Sequence, residues 1–168
     1  NPEFHWMDFS VDDSTSGQAE LMSSIMDATD PDLSSFLKSR GGKLIVYHGL
    51  SDALSVSTAT INYFNDMVDA TFAGSFSDAN DATRLFLAPG MGHCGGGPGP
   101  NNWDKLLPLV DWVENGVAPE TLTATHSTDG RVDDERLLCT FPQQARYSGP
   151  AGGQDNPENW VAGNFICR

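Results

Sequence analysis

Two short stretches of this 168-residue chain carry side chains able to move a proton, "HGLSDAL" at 48–54 and "GMGHCGGGPGP" at 90–100. The first offers Asp52; the second offers His93, with Cys94 beside it. An imidazole held by a carboxylate can take a proton from a hydroxyl and return it to a leaving group. The carboxylate fixes the ring's tautomer and stabilises the imidazolium. A glycine-rich loop lets such a ring approach a substrate without side-chain obstruction. Taken singly, an Asp after a strand is most often a turn or capping residue, and a His in a glycine loop is more often structural. The two together, in this order, carry the chemical reading.

Each loop follows an apolar run of strand length, "KLIVYHG" and "RLFLAPG". Runs without polar alternation suit strands buried on both faces, as in a parallel sheet. Open α/β sheets place their active sites at the C-terminal ends of such strands. A carboxylate and then a histidine, each just past a strand, are the last two members of the Ser…Asp…His order of the α/β-hydrolase arrangement.

The intervening segments must position these loops. Ile61, Phe64, Val68 and Phe72 recur at helical spacing. Trp103, Leu106, Leu107, Val110 and Val113 mark one face of a second helix, which Asn115-Gly116 closes and Pro119 cannot continue. Strand–helix–strand–helix predicts an α/β fold. Two such units do not complete a doubly wound domain, so the expectation is one end of a larger, mostly parallel sheet with flanking helices. "TLTATHS" would add a strand, and the tail from Arg136 reads as irregular. Residues 1–41 read as a lead-in, with a short helix over Ala19–Met26, a turn at Asp30-Pro31 and a helical stretch to Lys38. Residues 42–168 read as the domain proper.

With 23 acidic and 9 basic residues the net charge is −14. A field of that sign repels phosphate backbones and anionic lipid, which argues against nucleic-acid and membrane-surface roles. The opening "NPEFHWMDFS" has neither the basic nor the apolar region of a signal peptide. Of the three cysteines, Cys139 and Cys167 lie in the loop-rich tail, where pairing would staple it by roughly 3–4 kcal/mol on the loop-entropy model. The odd count then leaves Cys94 to find a partner outside the chain.

The missing member is the nucleophile. No Gly-x-Ser-x-Gly occurs, and neither Ser51 nor Ser75 sits on a sharp strand-to-helix turn. Cys94 as nucleophile with His93 as its base fails because adjacent side chains rarely aim at each other. One Cys-His pair without a second is no zinc site. His48 reads as packing or shaping the Asp52 turn, while His5 and His126 have no supporting context. Asp12-Asp13 and Asp78/Asp81 read as solvated acidic turns rather than calcium ligands, since neither matches an EF-hand loop.

"RGGKLIVYHGLSD", "LFLAPGMGHCGGGPGP", "DWVENGVAPE", "LLCTFPQQARYSG" and the final "NFIC" resemble the C-terminal half of the tannase and feruloyl esterase family, from about Asp30 to Cys167. "WMDFSVDD" resembles the family's approach to this region less distinctively. The resemblance implies the C-terminal portion of an α/β-hydrolase fold with a disulfide-stapled tail. It also implies a secreted, extracellular serine esterase acting on small phenolic acid esters, feruloyl or galloyl. By position, Asp52 matches the triad aspartate and His93 the triad histidine. Cys94 matches the cysteine bridged to the residue preceding the nucleophilic serine, and Cys139 with Cys167 the C-terminal disulfide. The family's Cys-Ser elbow lies further N-terminal, and this sequence has no Cys-Ser pair. The lid, which in the family holds a structural calcium, lies between serine and aspartate. The implied partner is therefore an N-terminal chain or segment of the same enzyme, with no metal or cofactor held by this chain. The rival reading is a non-catalytic remnant or binding module derived from an α/β-hydrolase.

Overall fold

Alternate residues of an extended strand point to opposite faces, so a strand that is apolar throughout needs a core on each side. The computed structural model, which describes residues 3, 5, 7 and 17–168, supplies both. Strand β1 (Leu44–Gly49) runs parallel to β2 (Thr83–Ala88), in register from Leu44↔Thr83 to Gly49↔Ala88. Helices α2 (Ser57–Phe72) and α3 (Phe76–Asn80) make the crossover between them. Leu85 faces a core built with Phe64, Met67, Val68 and Phe72 of α2. Its neighbour Phe86 faces a second core with Met91, Trp103, Ala124 and Leu138. The outer edge of β2 is covered as well, by an antiparallel bridge from Phe86 to Thr140 and a 2.8 Å bond from the Phe141 N–H to the Leu85 carbonyl.

Two compact units divide the chain at Asp30/Pro31. In the first, α1 spans Gly17–Met26, and Asp12 and Asp13 lie outside the described residues. In the second, Leu33 and Leu37 pack into the α2 core. The Thr71 hydroxyl donates to the Pro31 carbonyl and accepts from the Leu33 N–H. Residues 31–41, placed with the lead-in by composition, thus join the second unit.

Among the described residues the parallel pairing involves two strands, β1 and β2, and the other two ladders are antiparallel, a correction to the mostly parallel sheet expected of this chain. β3 (Thr121–Thr128), expected to extend that sheet, instead folds antiparallel onto β4 (Arg131–Cys139). Asp129 and Gly130 join them with φ of 51° and 76°. Two successive left-handed residues make the tight turn whose twist suits a hairpin, and Asp-Gly is a pair that tolerates it. The tail is also more ordered than expected: β5 (Ala145–Tyr147) and β6 (Phe165–Cys167) pair antiparallel, and Cys139 is disulfide-bonded to Cys167. Arg136 lies against the Trp160 and Phe165 rings, 4.5 and 4.7 Å from their centroids, and so orders residues with few apolar neighbours.

Helix α4 covers Leu107–Asn115, later than the apolar spacing predicts. The Asp104 carboxylate accepts the N–H groups of Leu106 and Leu107, capping the helix there and leaving Trp103 outside it. The buried residue of α4 is Trp112, whereas Leu106, Leu107 and Val113 are exposed. Trp112 is held by the cations of Arg84 and Lys43, 4.9 and 5.3 Å from its ring. Arg84 is itself buried, and it binds the Pro119 carbonyl and Glu120, tying the end of α4 to β2. No described helix is long and apolar enough to cross a membrane.

Candidate active site

The register of β1 and β2 sets the two loops side by side. The ladder continues past the strands, with Leu50 N–H donating to the Ala88 carbonyl at 2.9 Å and Ser51 N–H to the Met91 carbonyl at 3.0 Å. Gly49 sits where the loops touch: a Cβ there would lie 2.6 Å from the Gly92 carbonyl oxygen and in collision with that of Met91. Only glycine fits so close an approach.

Asp52 and His93 come together, His93 Nδ1 lying 2.8 Å from Asp52 Oδ2. The Asp52 side chain is 5% exposed and that of His93 49%. Asp52 Oδ1 accepts the N–H groups of Leu54 and Ser55, at 2.8 and 3.0 Å. The Ser55 N–H, the His93 ring and the Leu54 N–H hold the carboxyl down to about 2 against the desolvation that raises it. An ionised carboxylate can only accept, so the His93 proton sits on Nδ1 and the lone pair on Nε2. Among the described residues no hydroxyl bonds to Nε2, and the exposed side of the ring is where a substrate hydroxyl or a serine could meet it. The pair can therefore act as an oriented general base and, once protonated, as the acid.

Cys94 follows in the left-handed region with φ of 60°, its thiol free and exposed. It lines the same recess of about 260 Å³ as Asp52 and His93. The Cys139–Cys167 disulfide lies elsewhere, at the junction of β4 and β6. Among the described residues no group of three or more His, Cys, Asp or Glu side chains is arranged to hold a metal. His48 does more than the sequence suggested: its ring contacts Thr60, Ser55 and Asp52. The spacing of four residues to Asp52 was a signal; the Thr60 contact, made across the crossover, had none. His126, given no role, pairs with Asp133 at 2.6 Å on the hairpin.

A family model described as tannase and feruloyl esterase matches residues 3–160. The chain is 43% identical over 170 residues to mono(2-hydroxyethyl) terephthalate hydrolase of Piscinibacter sakaiensis, covering 95% of this chain and 26% of that protein. It is 33% identical over 149 residues to feruloyl esterase B of Aspergillus niger, covering 80% and 28%. The crystal structure of feruloyl esterase B from Aspergillus oryzae superposes with a TM-score of 0.83 at 27% identity, over all of this chain and 34% of that one. The chain therefore spans about a quarter to a third of the length of the relatives it matches.

Proposed function

Since the chain belongs to the tannase and feruloyl esterase family, we propose that it forms the C-terminal, acid–base part of a serine carboxylic ester hydrolase. His93 takes the proton of a serine hydroxyl through Nε2 as that oxygen attacks the ester carbonyl. It then returns the proton to the departing alkoxide, and a water repeats the sequence to release the acid. Asp52 keeps the ring in the Nδ1–H tautomer and stabilises the imidazolium. The observation that carries this reading is the 2.8 Å contact from His93 Nδ1 to a carboxylate anchored by two backbone N–H groups.

The serine is supplied by the remainder of the enzyme, a reading supported by the quarter to third of the relatives' length that this chain spans. Cys94, exposed beside His93, bonds to the cysteine that precedes it and holds base and nucleophile together. The substrate is a small ester of an aromatic carboxylic acid. The relatives' names, feruloyl esterase and terephthalate monoester hydrolase, support that class. The oxyanion donors come mostly from the remainder of the enzyme, beside the nucleophile. The Cys139–Cys167 disulfide suits an oxidising, extracellular setting.

The test is hydrolysis of feruloyl, galloyl and terephthalate monoesters by the full-length enzyme and its His93→Ala variant. The variant is expected to lose several orders of magnitude in kcat, up to about 10⁶-fold. Retention of more than about a tenth of the activity would sink the assignment, because a required base cannot be deleted so cheaply.

A further inference from the structure

His48 is the penultimate residue of β1 with its side chain only 10% exposed, yet both ring nitrogens meet oxygen. Nε2 lies 2.8 Å from the Ser55 carbonyl and 3.4 Å from Asp52 Oδ2, and Nδ1 lies 2.8 Å from Thr60 Oγ1. A carbonyl and an ionised carboxylate only accept, so Nε2 carries the proton. In the neutral ring Nδ1 is then the acceptor, and the Thr60 hydroxyl donates to it. The Ser55 carbonyl, which can only accept, thus fixes the tautomer, and Thr60, on the first turn of α2, holds the other ring nitrogen.

We propose that His48 is a positioning residue for the reaction, locking the Asp52 carboxylate through Ser55, with Thr60 holding the far side of its ring. The 3.4 Å separation from Asp52 is too long for a strong direct hydrogen bond, so the effect runs through the turn. His48 N–H holds the Ser55 carbonyl, and Ser55 N–H holds Asp52 Oδ1. With Oδ1 pinned by Leu54 and Ser55, rotation about χ2 cannot carry Oδ2 away from His93. The chain of contacts ties the carboxylate to β1 and to α2, rather than leaving it on a loop otherwise exposed at Ser51, Ala53, Leu54 and Ser55. His48 touches neither nucleophile nor substrate in this scheme, and its role is geometric.

The inference rests on the proposed Asp52–His93 dyad, so the test pairs it with His93→Ala in the full-length enzyme. His48→Leu keeps the volume and neither bond. It is expected to lower kcat about 10- to 100-fold, as misplacement of a catalytic group does, with KM little changed. His48→Gln, whose amide can donate near the Nε2 position, should recover part of that loss. Thr60→Ser should match the wild type. Thr60→Val should lower kcat several-fold, while the ¹⁵N shifts of the His48 ring keep the signature of protonated Nε2, because the Ser55 carbonyl remains its acceptor. Wild-type kcat in His48→Leu, or a folded His48→Gln as slow as His48→Leu, overturns the inference while leaving the dyad intact. An active His93→Ala overturns the dyad itself. If His48→Leu does not fold, Thr60→Val decides: an unchanged kcat there, or a wild-type His48 ring protonated on Nδ1 alone, also overturns it.

Discussion

Replacing Gly49 with alanine tests whether backbone contact holds the two site loops together. The added Cβ would stand 2.6 Å from the Gly92 carbonyl oxygen and closer still to that of Met91. Ordinary contact begins near 3.4 Å, so β1 or the glycine loop must yield by more than about 0.8 Å, the difference between 3.4 and 2.6 Å, because the Met91 oxygen stands closer still. The obstructing atoms are backbone, which cannot rotate aside as a side chain would. Met91 is also the acceptor for Ser51 N–H at 3.0 Å, so the displacement passes directly to the turn carrying Asp52. A shift approaching 1 Å between catalytic groups costs on the order of 10²-fold in rate. Overpacking of this kind costs about 1–3 kcal/mol in stability. The measurement is kcat, KM and Tm of the full-length Gly49→Ala enzyme on a feruloyl ester. Gly163→Ala serves as control, since a Cβ there meets nothing within 4 Å. The control should stay within about 0.5 kcal/mol of the wild type. Gly49→Ala should lose kcat far more than it gains KM. A Gly49→Ala enzyme with undiminished kcat would refute the reasoning, because the loops would then be positioned by something other than their contact at Gly49.

The folded Asp52 value of about 2 lies below its ordinary 3.8. Its interactions therefore stabilise fully above about pH 4, the unfolded value, and are lost as pH falls through about 2. Carboxyl NMR should show Asp52 ionised throughout the range above pH 4, so an acidic limb of kcat/KM above pH 5 belongs to another group. A titration centred at or above pH 4 would contradict its anchoring by Ser55, His93 and Leu54. Removing the Cys139–Cys167 bridge, with a separation of 28 residues, should cost roughly 3–4 kcal/mol on the loop-entropy model. Denaturant titration of a Cys139→Ser/Cys167→Ser double variant checks this. A loss under about 1 kcal/mol would mean that the β5–β6 pairing and the Arg136 stack hold the tail without help from a restricted unfolded state.

What was legible in the sequence depended on whether one local pattern decided the structure. β1 and β2 were readable because burial on both faces forces continuous apolar runs, and the loops leaving them marked Asp52 and His93. The α2 face at Ile61, Phe64, Val68 and Phe72 was readable for the same kind of reason: one helix meets one core. α4 was not, because its position follows from Asp104 capping at Leu106 and Leu107 and from two cations against Trp112. Apolar periodicity does not record either. The β3–β4 hairpin was legible but overlooked, since Asp129-Gly130 between two strand-like runs is a hairpin signal. The order of the tail rests on Arg136 between two rings distant in sequence, and nothing local announces that. Thr60 was invisible for a comparable reason, as its partner His48 lies on another element.

The geometry of the dyad is the register of the sheet carried two residues further. His48 pairs with Leu87 and Gly49 with Ala88. The backbone then keeps bonding from Leu50 to Ala88 and from Ser51 to Met91, so Asp52 emerges level with His93 rather than wherever a free loop would leave it. β2 can hold that level because it is anchored on three sides, by the α2 core against Leu85, the hairpin core against Phe86 and the bridge to Thr140. The half-exposed His93 ring is therefore held at one point, its Nδ1–H bond to Asp52. An imidazole so held offers its lone pair on the Nε2 side, and Cys94 opens on the same recess. A bond from Cys94 to the segment bearing the serine would fix the remaining distance, because Cys94 follows His93 immediately and its backbone is already constrained at φ of 60°. Comparing intact mass without and with reductant decides this. Release of a second polypeptide, or a Cys94 peptide cross-linked to one that contains a Cys-Ser pair, is the expected outcome. A free Cys94 thiol in the active full-length enzyme would remove the tether and leave the sheet register alone to position the base.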